Sequence, residues 1–230
     1  MKKAISILMA VFMTFAITAC GSQSAENTSS TANTTSAISN ETTAQPTENT
    51  TSTTALAESS QPNQEDTSNV LVAYFSCTGT TKALAEYISD GLDSDLYEIT
   101  PESPYTDADL DYSNDNSRST QEMNDPDVRP AISGSVKNME QYDIIFVGYP
   151  IWWGDAPRIL STFMESYDFS GKTIVPFCTS SSSGIGSSAT NLESLTSGAT
   201  WLSGERFGGG NSRSEMVSWV NGLGLNVTAK

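Results

Sequence analysis

Short hydroxyl side chains and one glycine are concentrated at the turn between the first predicted strand and the first predicted helix. Gly79 permits a tight turn and a close approach of the backbone to a ligand. The first N–H groups of the following helix have no intrahelical acceptor, so they and the hydroxyls favour binding of an anion. The alternative is a turn whose hydroxyls only cap the helix. The candidate anion-binding residues are Ser76, Cys77, Thr78, Gly79, Thr80 and Thr81.

Three better-known anion-binding loops do not fit this turn. The sequence contains no Gly-x4-Gly-Lys-Ser/Thr string, which a P-loop requires. A dinucleotide-binding Gly-x-Gly-x-x-Gly cannot be formed, because only Gly79 is available here. A tyrosine-phosphatase loop would need Arg six residues after Cys77, and that position is Ala83. The turn therefore predicts a phosphate site of another kind.

Two later loops carry residues that could bind the remainder of such a ligand. Adjacent tryptophans, Trp152 and Trp153, could form a stacking wall for a flat ring, or they could pack on the core beneath their loop. The loop that begins at Thr179 is rich in Ser and Gly and could follow the edge of a ligand, or it could be a plain flexible loop. The candidates in these two loops are Pro150, Ile151, Trp152, Trp153, Gly154, Thr179, Ser180, Ser181, Ser182 and Gly184.

The elements that position these loops alternate between strands and helices. Near-continuous apolar runs, typical of strands buried on both faces, cover 70–76, 143–149 and 172–179, with weaker strands at 95–99 and 200–203. Helical patterns cover 81–91, 156–167, 187–196 and 212–223, and a short helix is predicted near 119–123 within the irregular, acidic stretch 101–139. The alternation predicts an α/β fold with a doubly wound, five-stranded parallel sheet of order 2-1-3-4-5. That order brings the three loops to one crevice.

These segments resemble the flavodoxin family, and specifically its flavodoxin-like branch in bacterial lipoproteins. The run from Ser76 to Thr81 is similar to the phosphate motif Ser-x-Thr-Gly-x-Thr, and YDIIFVGYPIWWG and GKTIVPFCTSSSSGIG are similar to later segments of that branch. Arg129-Pro130 before the third strand also fits, and the resemblance covers residues 69–224. It implies a flavodoxin-like fold that binds flavin mononucleotide (FMN) without a covalent bond, with ring contacts from the two later loops.

One departure from the family pattern concerns the ring. Typical flavodoxins place an aromatic residue in the later ring-binding loop, whereas Thr179–Gly184 contains only Thr, Ser and Gly. The flavin is therefore expected to have one open face, which would suit a substrate or a hydride donor.

The first 68 residues are predicted to lie outside this fold. Residues 1–19 have the pattern of a secretory signal peptide, and Ile17-Thr18-Ala19-Cys20 resembles a bacterial lipobox in which Cys20 is lipidated. The alternative is an ordinary signal with an incidental Cys. Residues 20–68 are predicted to form a disordered Ser/Thr-rich tether, because they lack the apolar residues that a core requires. We expect an extracytoplasmic domain at 69–226, held to the bacterial cell membrane through the lipid anchor only.

Composition excludes several kinds of site. A formal net charge of −16 makes nucleic acid an unsuitable partner, and the absence of His excludes His-based catalysis and His metal ligands. Asp107, Asp109 and Asp111 imitate the start of an EF-hand loop, but Tyr112 replaces its glycine, so a solvated acidic loop is favoured. We assign no metal ligand and no catalytic residue from the sequence.

Two cysteines and one aspartate leave further alternatives. Cys77 and Cys178 end strands that are two positions apart, about 10 Å, which is too far for a disulfide. Cys77 at a helix N-terminus could be reactive, although a packed thiol is the plainer interpretation. Asp155 could tune the potential of a nearby flavin, or it could be the N-cap of the helix that begins near Pro157.

The resulting functional hypothesis is FMN-dependent electron transfer by a membrane-tethered protein. Its partner would be a redox protein or a small quinone-like acceptor, and the acidic surface favours a basic protein partner. One alternative is an FMN-dependent NAD(P)H/quinone-type oxidoreductase. Another is a flavin-free binding domain on the same fold, since fold alone does not establish function.

Overall fold

A parallel sheet forms the centre of the computed structural model, which describes residues 68–230. The predicted signal peptide at 1–19, the predicted lipidation site Cys20 and the predicted tether up to residue 67 lie outside the described residues. The strands are β1 (Val70–Tyr74), β2 (Asp95–Glu98), β3 (Thr100–Pro101), β4 (Ile132–Ser133), β5 (Ile144–Pro150), β6 (Thr173–Thr179), β7 (Thr200–Trp201) and β8 (Glu205–Phe207). The helices are α1 (Thr80–Leu92), α2 (Arg118–Asn124), α3 (Arg158–Glu165), α4 (Ser188–Glu193) and α5 (Arg213–Gly222), with a 3-10 turn at Met139–Gln141.

The order of the sheet is β2-β1-β5-β6-β7, and all its pairs are parallel. This confirms the predicted α/β fold and the predicted order, with β5 and β6 as the third and fourth strands. The small β3–β4 pair is antiparallel and lies outside the main sheet. The predicted short helix in the acidic stretch is also confirmed, as α2.

The predicted number of strands was wrong, because two short strands share the last position of a six-stranded sheet. β7 pairs with Thr173–Ile174 and β8 pairs with Phe177–Thr179. The break between them lies beside Pro176, which has no N–H to donate to a neighbouring strand. Gly204 passes there so closely that a Cβ atom would lie 2.7 Å from the carbonyl oxygen of Pro176.

The core lies on both faces of the sheet. Each central strand sends alternate side chains to the two faces, as Leu71 and Val72 of β1 do. One face packs against α3 through residues such as Phe163, and the other packs against α1 and α5 through Ile88 and Met216. Burial on both faces explains why these strands are continuous apolar runs in the sequence.

No helix within residues 68–230 is both long and apolar enough to span a bilayer.

Candidate functional site

The three predicted loops meet at the carboxyl ends of β1, β5 and β6. The hydroxyls of Thr81 and Thr179 are 2.7 Å apart and buried, which joins the start of α1 to the end of β6. The N–H of Ile151 donates to the carbonyl oxygen of Thr179 at 3.0 Å, which joins the double-Trp loop to the same strand end. β1 pairs directly with β5, so the predicted neighbourhood of the first and third strands is confirmed.

The turn after β1 leaves several hydrogen-bond donors free. Gly79 has φ 83° and is the N-cap residue of α1, and no side chain accepts a hydrogen bond from the first turn of the helix. Ala83 provides the first helical bond, with its N–H donating to the carbonyl of Gly79 at 3.0 Å. The N–H groups of Thr80, Thr81 and Lys82 therefore have no acceptor in the part of the chain that is described. The alternative that the hydroxyls only cap this helix does not agree with these bonds.

The hydroxyls of the turn bond mainly within the turn. The Oγ of Ser76 accepts the N–H of Gly79 at 3.1 Å, and the hydroxyls of Thr78 and Thr80 are 3.3 Å apart. Lys82, in contrast, lies with its Nζ 4.0 Å from the carboxylates of both Glu86 and Glu98. An anion in this turn would thus be held by neutral donors and by the N-terminus of a 13-residue helix.

A loop that the sequence did not single out presses against the same turn. Gly209, just after β8, has φ 85°, and a Cβ atom placed on it would lie 2.5 Å from the Cγ2 of Thr80. The N–H of Ser180 donates to the carbonyl of Phe207 at 3.1 Å, which fixes the start of this loop to the end of β6. Glycine at position 209 is therefore required for the loop to approach the turn this closely.

Next to the turn is a cavity of about 290 Å³. Its size is at the lower end of the range for small-molecule sites, and its lining combines hydroxyls with aromatic and aliphatic surface. The lining residues are Ser76, Cys77, Thr78, Thr81, Asp107, Leu110, Tyr112, Pro150 and Trp152.

The two tryptophans of the second loop have different environments. The N–H and carbonyl of Trp152 bond with the carbonyl and N–H of Asp155 at 2.9 and 3.0 Å, around a tight turn in which Trp153 has φ 48° and Gly154 has φ 83°. This geometry matches a type I′ turn, and it sends the two indoles in different directions. Trp152 is buried, edge-on to Phe75, whereas Trp153 is 43% exposed. Trp152 thus packs on the core, as one of the two alternatives for this loop predicts, although it also lines the cavity. Stacking on a flat ring stays a prediction for Trp153.

Asp155 is held by several partners at the end of this turn. Its Oδ1 accepts the N–H of Ala156 at 2.8 Å, and its Oδ2 accepts from Arg158 Nη1 at 3.3 Å and from Asn191 Nδ2 at 3.1 Å. The N-cap interpretation was wrong, because α3 begins at Arg158 and its N-cap residue is Pro157. The ion pair with Arg158 opposes the negative charge that Asp155 would present to a nearby flavin.

The third loop takes a more peripheral place than the sequence predicts. The Oγ of Ser180 accepts the N–H groups of Ser182 and Ser183 at 3.3 and 3.0 Å, so this hydroxyl shapes its own loop. Ser181, Ser182 and Gly184 are exposed and are not among the residues that line the cavity. Their contact with a ligand stays a prediction.

Three cavity residues come from the acidic stretch, whose composition predicts a solvated loop: Asp107, Leu110 and Tyr112. Leu110 and Tyr112 are the only large apolar residues between 106 and 117, and this isolated pair was the available signal. The EF-hand resemblance has a local explanation. Asp109 accepts from the N–H and hydroxyl of Thr106, at 2.8 and 2.7 Å, and Asp111 accepts from the N–H and hydroxyl of Ser113, at 2.9 and 2.6 Å.

A partly buried polar cluster fastens the acidic stretch to the loop after β5. Tyr105 lies edge-on to Trp152, with ring centroids 5.2 Å apart, and its hydroxyl donates to Glu122 Oε2 at 2.5 Å. Arg118 lies over the Tyr105 ring at 4.0 Å and donates through Nε to Glu122 Oε1 at 2.7 Å. Burial first, and the Glu122 carboxylate second, raise the pKa of Tyr105 well above its usual range. The stretch that carries Tyr112 is therefore a folded wall of the cavity.

Cys77 is a protonated thiol at neutral pH. Its surface is exposed, but the surrounding protein displaces enough water to raise its pKa to about 12, with Arg118 only partly opposing the shift. This argues against a reactive thiolate. Cys77 and Cys178 are both free: Cys77 follows β1, Cys178 lies in β6, and β5 separates these two strands. Within residues 68–230 no three His, Cys, Asp or Glu side chains are grouped so that they could hold a metal ion.

Comparison with known proteins gives a consistent result. The sequence profile of a family described as flavodoxin matches residues 69–223. A protein of Bacteroides eggerthii DSM 20697, provisionally assigned as a flavoprotein, is 46% identical, with a TM-score of 0.65, over 69% of this chain and 99% of its own. A similarly assigned protein of Bacteroides uniformis ATCC 8492 is 44% identical, with a TM-score of 0.64, over 67% of this chain and 98% of its own.

A more distant structure has the same fold. A flavoprotein of Lactobacillus acidophilus NCFM, solved in complex with FMN, is 23% identical, with a TM-score of 0.51, over 66% of this chain and 99% of its own. No curated protein sequence matches the chain. The profile match spans most of the chain and the Bacteroides structures are covered almost completely. The chain therefore belongs to the flavodoxin family.

Proposed function

We propose that the domain binds FMN, with the phosphate in the turn after β1 and the flavin ring beside the double-Trp loop. The main support is the start of α1, where no side chain caps the helix and the free N–H groups lie next to a cavity with an aromatic wall. The donor set fits the group: a phosphate needs converging N–H and hydroxyl donors, and a flat ring needs apolar faces. Membership of the flavodoxin family and the FMN complex of the Lactobacillus acidophilus protein support the proposal.

Each part of the site has a separate task in this proposal. The N–H groups of Thr80 and Thr81, with the hydroxyls of Ser76 and Thr78, would hold the phosphate oxygens. Pro150 and Trp152 cover the inner side of the cavity and exclude water from it. Bound FMN supplies reversible electron transfer, and the protein supplies binding, orientation and electrostatics.

The proposed activity is electron transfer with a redox protein or a small quinone-like acceptor. Eight acidic residues and one basic residue lie between 101 and 127, the stretch that contributes Asp107 to the cavity, so a partner with a basic surface is favoured. The exposed Ser/Gly loop is the observation that favours the second candidate, an FMN-dependent NAD(P)H/quinone-type oxidoreductase, because its small residues leave room for a substrate.

Lipidation of Cys20, membrane tethering and an extracytoplasmic location are part of the proposal and rest on the sequence of residues 1–68 alone.

FMN titration of the purified full chain tests the proposal. We expect quenching of flavin fluorescence and much weaker binding of riboflavin, which lacks the phosphate. Thr78→Val should weaken FMN binding by about 10- to 150-fold, since a hydrogen bond to a charged group contributes about 1.5–3 kcal/mol, and should leave riboflavin binding unaffected. A colourless protein that takes up no FMN would support the flavin-free alternative instead.

Photoreduction without oxygen then separates the two redox candidates. Two resolved one-electron steps support a carrier, whereas direct reduction by NADH or NADPH supports the oxidoreductase.

The Cys20→Ser variant tests the anchor, because it should leave FMN affinity unchanged and release the protein from the membrane fraction.

A further inference from the structure

We propose that Tyr112 is the second aromatic wall of the flavin site, and that the contact between Tyr112 and Trp153 opens so that the ring enters between them. This inference rests on the proposed FMN site and adds to it a residue from the acidic stretch. It also replaces the open-faced flavin that the sequence predicts, because the missing aromatic is supplied by a different segment of the chain.

The position of the two rings is the first observation. Tyr112 and Trp153 have centroids 4.7 Å apart, with 42° between their planes, and Tyr112 lines the cavity beside the phosphate turn. They are 56% and 43% exposed, and together with Leu96 they are the only exposed large hydrophobic residues between 68 and 230. Tyr112 thus joins the cavity to the exposed ring of Trp153, and a contiguous exposed aromatic patch of this kind fits a binding surface.

The backbones that carry these rings are both fixed. Tyr112 follows Asp111 in a turn closed by the N–H of Asn114, which donates to the carbonyl of Asp111 at 3.1 Å. The preceding residues are held by the N–H of Ser119, which donates to the carbonyl of Asp109 at 3.0 Å. Trp153 is fixed by the paired bonds between Trp152 and Asp155. The two side chains can therefore rotate while their attachment points stay in place.

The distance required for a ring determines the motion. A flat ring with van der Waals contact on both faces needs a separation of about 7 Å between its walls, twice the usual carbon–carbon contact distance. The observed 4.7 Å is too short, so the pair must separate by about 2–3 Å. Both rings are substantially exposed, and this separation requires no change in the core.

Loss of the Tyr112 ring has two opposing effects on FMN affinity. It removes one stacking contact with the flavin, and it also removes the Tyr112–Trp153 contact that binding must break. Stacking of a planar base on an aromatic residue is the stronger of the two, so Tyr112→Ala should weaken FMN by about five- to tenfold. Tyr112→Phe should stay within about twofold of the wild type, because the ring is kept. Leu96→Ala, an exposed residue outside the cavity lining, is the matched control and should change nothing.

The double variant distinguishes a wall from a simple obstruction. Each single variant, Tyr112→Ala or Trp153→Ala, relieves the contact between the two rings, but the double variant can relieve it only once. We therefore expect the double variant to lose more affinity than the product of the single losses, by about threefold. If Tyr112 only covers Trp153, the Tyr112→Ala variant will bind FMN as tightly as the wild type or more tightly, and the inference falls.

A measurement without FMN supports the same test. Trp153 is the exposed tryptophan of the described domain, so acrylamide should quench its emission more strongly in Tyr112→Ala than in Tyr112→Phe. Equal quenching in the two variants would show that the rings are not in contact and would overturn the inference. Failure of the wild type to bind FMN removes the proposed function itself, whereas binding with no Tyr112 effect removes only this inference.

Discussion

The buried hydroxyl pair of Thr81 and Thr179 gives a direct test of how the phosphate turn is held. The two oxygens are 2.7 Å apart, and the two residues are only 1% and 5% exposed. Thr81→Val keeps the shape of the side chain but leaves the hydroxyl of Thr179 buried without a partner. Such an unsatisfied group costs about 1–3 kcal/mol, whereas replacement of both partners by apolar groups of the same shape can be almost neutral.

We therefore expect each single valine variant to reduce the free energy of unfolding by about 1–3 kcal/mol, and the double variant to recover most of that loss. The assay is urea unfolding followed by circular dichroism, with the four proteins compared as a double-mutant cycle. A loss of this size lowers the melting temperature by about 2–4 °C per kcal/mol in a domain of this length.

The same four proteins separate stability from binding. If the pair only positions α1 against β6, the double variant should bind FMN almost as tightly as the wild type. If the hydroxyl of Thr81 also contacts the phosphate, the double variant will be stable but will bind FMN weakly. Single losses that add to the loss of the double variant within about 0.5 kcal/mol would refute the buried bond.

Three further predictions concern the same turn. Gly209→Ala should destabilise the domain by about 1–2 kcal/mol in urea unfolding, because it adds strain at positive φ and a clash with Thr80; Thr80→Ser should relieve only the clash. FMN should bind more tightly as NaCl rises from about 0.02 to about 0.5 M, since salt screens repulsion between the phosphate and an acidic protein; weaker binding would mean that attraction by the helix N-terminus outweighs this repulsion. Iodoacetamide should label Cys77 slowly at about pH 8.5 and faster up to about pH 11, because its pKa is raised to about 12, with the site identified by peptide mass spectrometry.

The sequence was sufficient for the parts of the fold that depend on local pattern. Continuous apolar runs identify strands buried on both faces, and they predicted β1, β5 and β6 and the order of the sheet. The hydroxyl-rich turn was recognisable because Gly79 and the start of a helix are adjacent in the chain. The split of the last strand was not predicted, since it depends on Pro176 lying opposite that strand, a relation visible only once the sheet is assembled.

The wall formed by the acidic stretch was missed for a similar reason. Its composition is typical of a solvated loop, and its order comes from tertiary contacts: Arg118 over Tyr105, and Glu122 bonded to both. Glu122 and Arg118 are four residues apart on α2, so their pairing was accessible from the sequence, but the contact of Tyr105 with Trp152 was not. The sequence could therefore indicate that Tyr112 was unusual without indicating where it would lie.

An aromatic wall on each side of the ring would also bear on the choice between a carrier and an oxidoreductase. A nicotinamide must stack on a face of the flavin to deliver hydride, whereas a protein partner needs only an exposed edge. With Tyr112 and Trp153 in place, we expect electron exchange at the edge, beside the carboxylates that attract a basic partner. Sulfite, which also attacks the ring from a face, should react slowly with the FMN-loaded wild type and faster with Tyr112→Ala, measured as bleaching of the flavin absorbance. Equal rates in the two proteins would mean that a face of the flavin ring is already open in the wild type, and this result would favour the oxidoreductase.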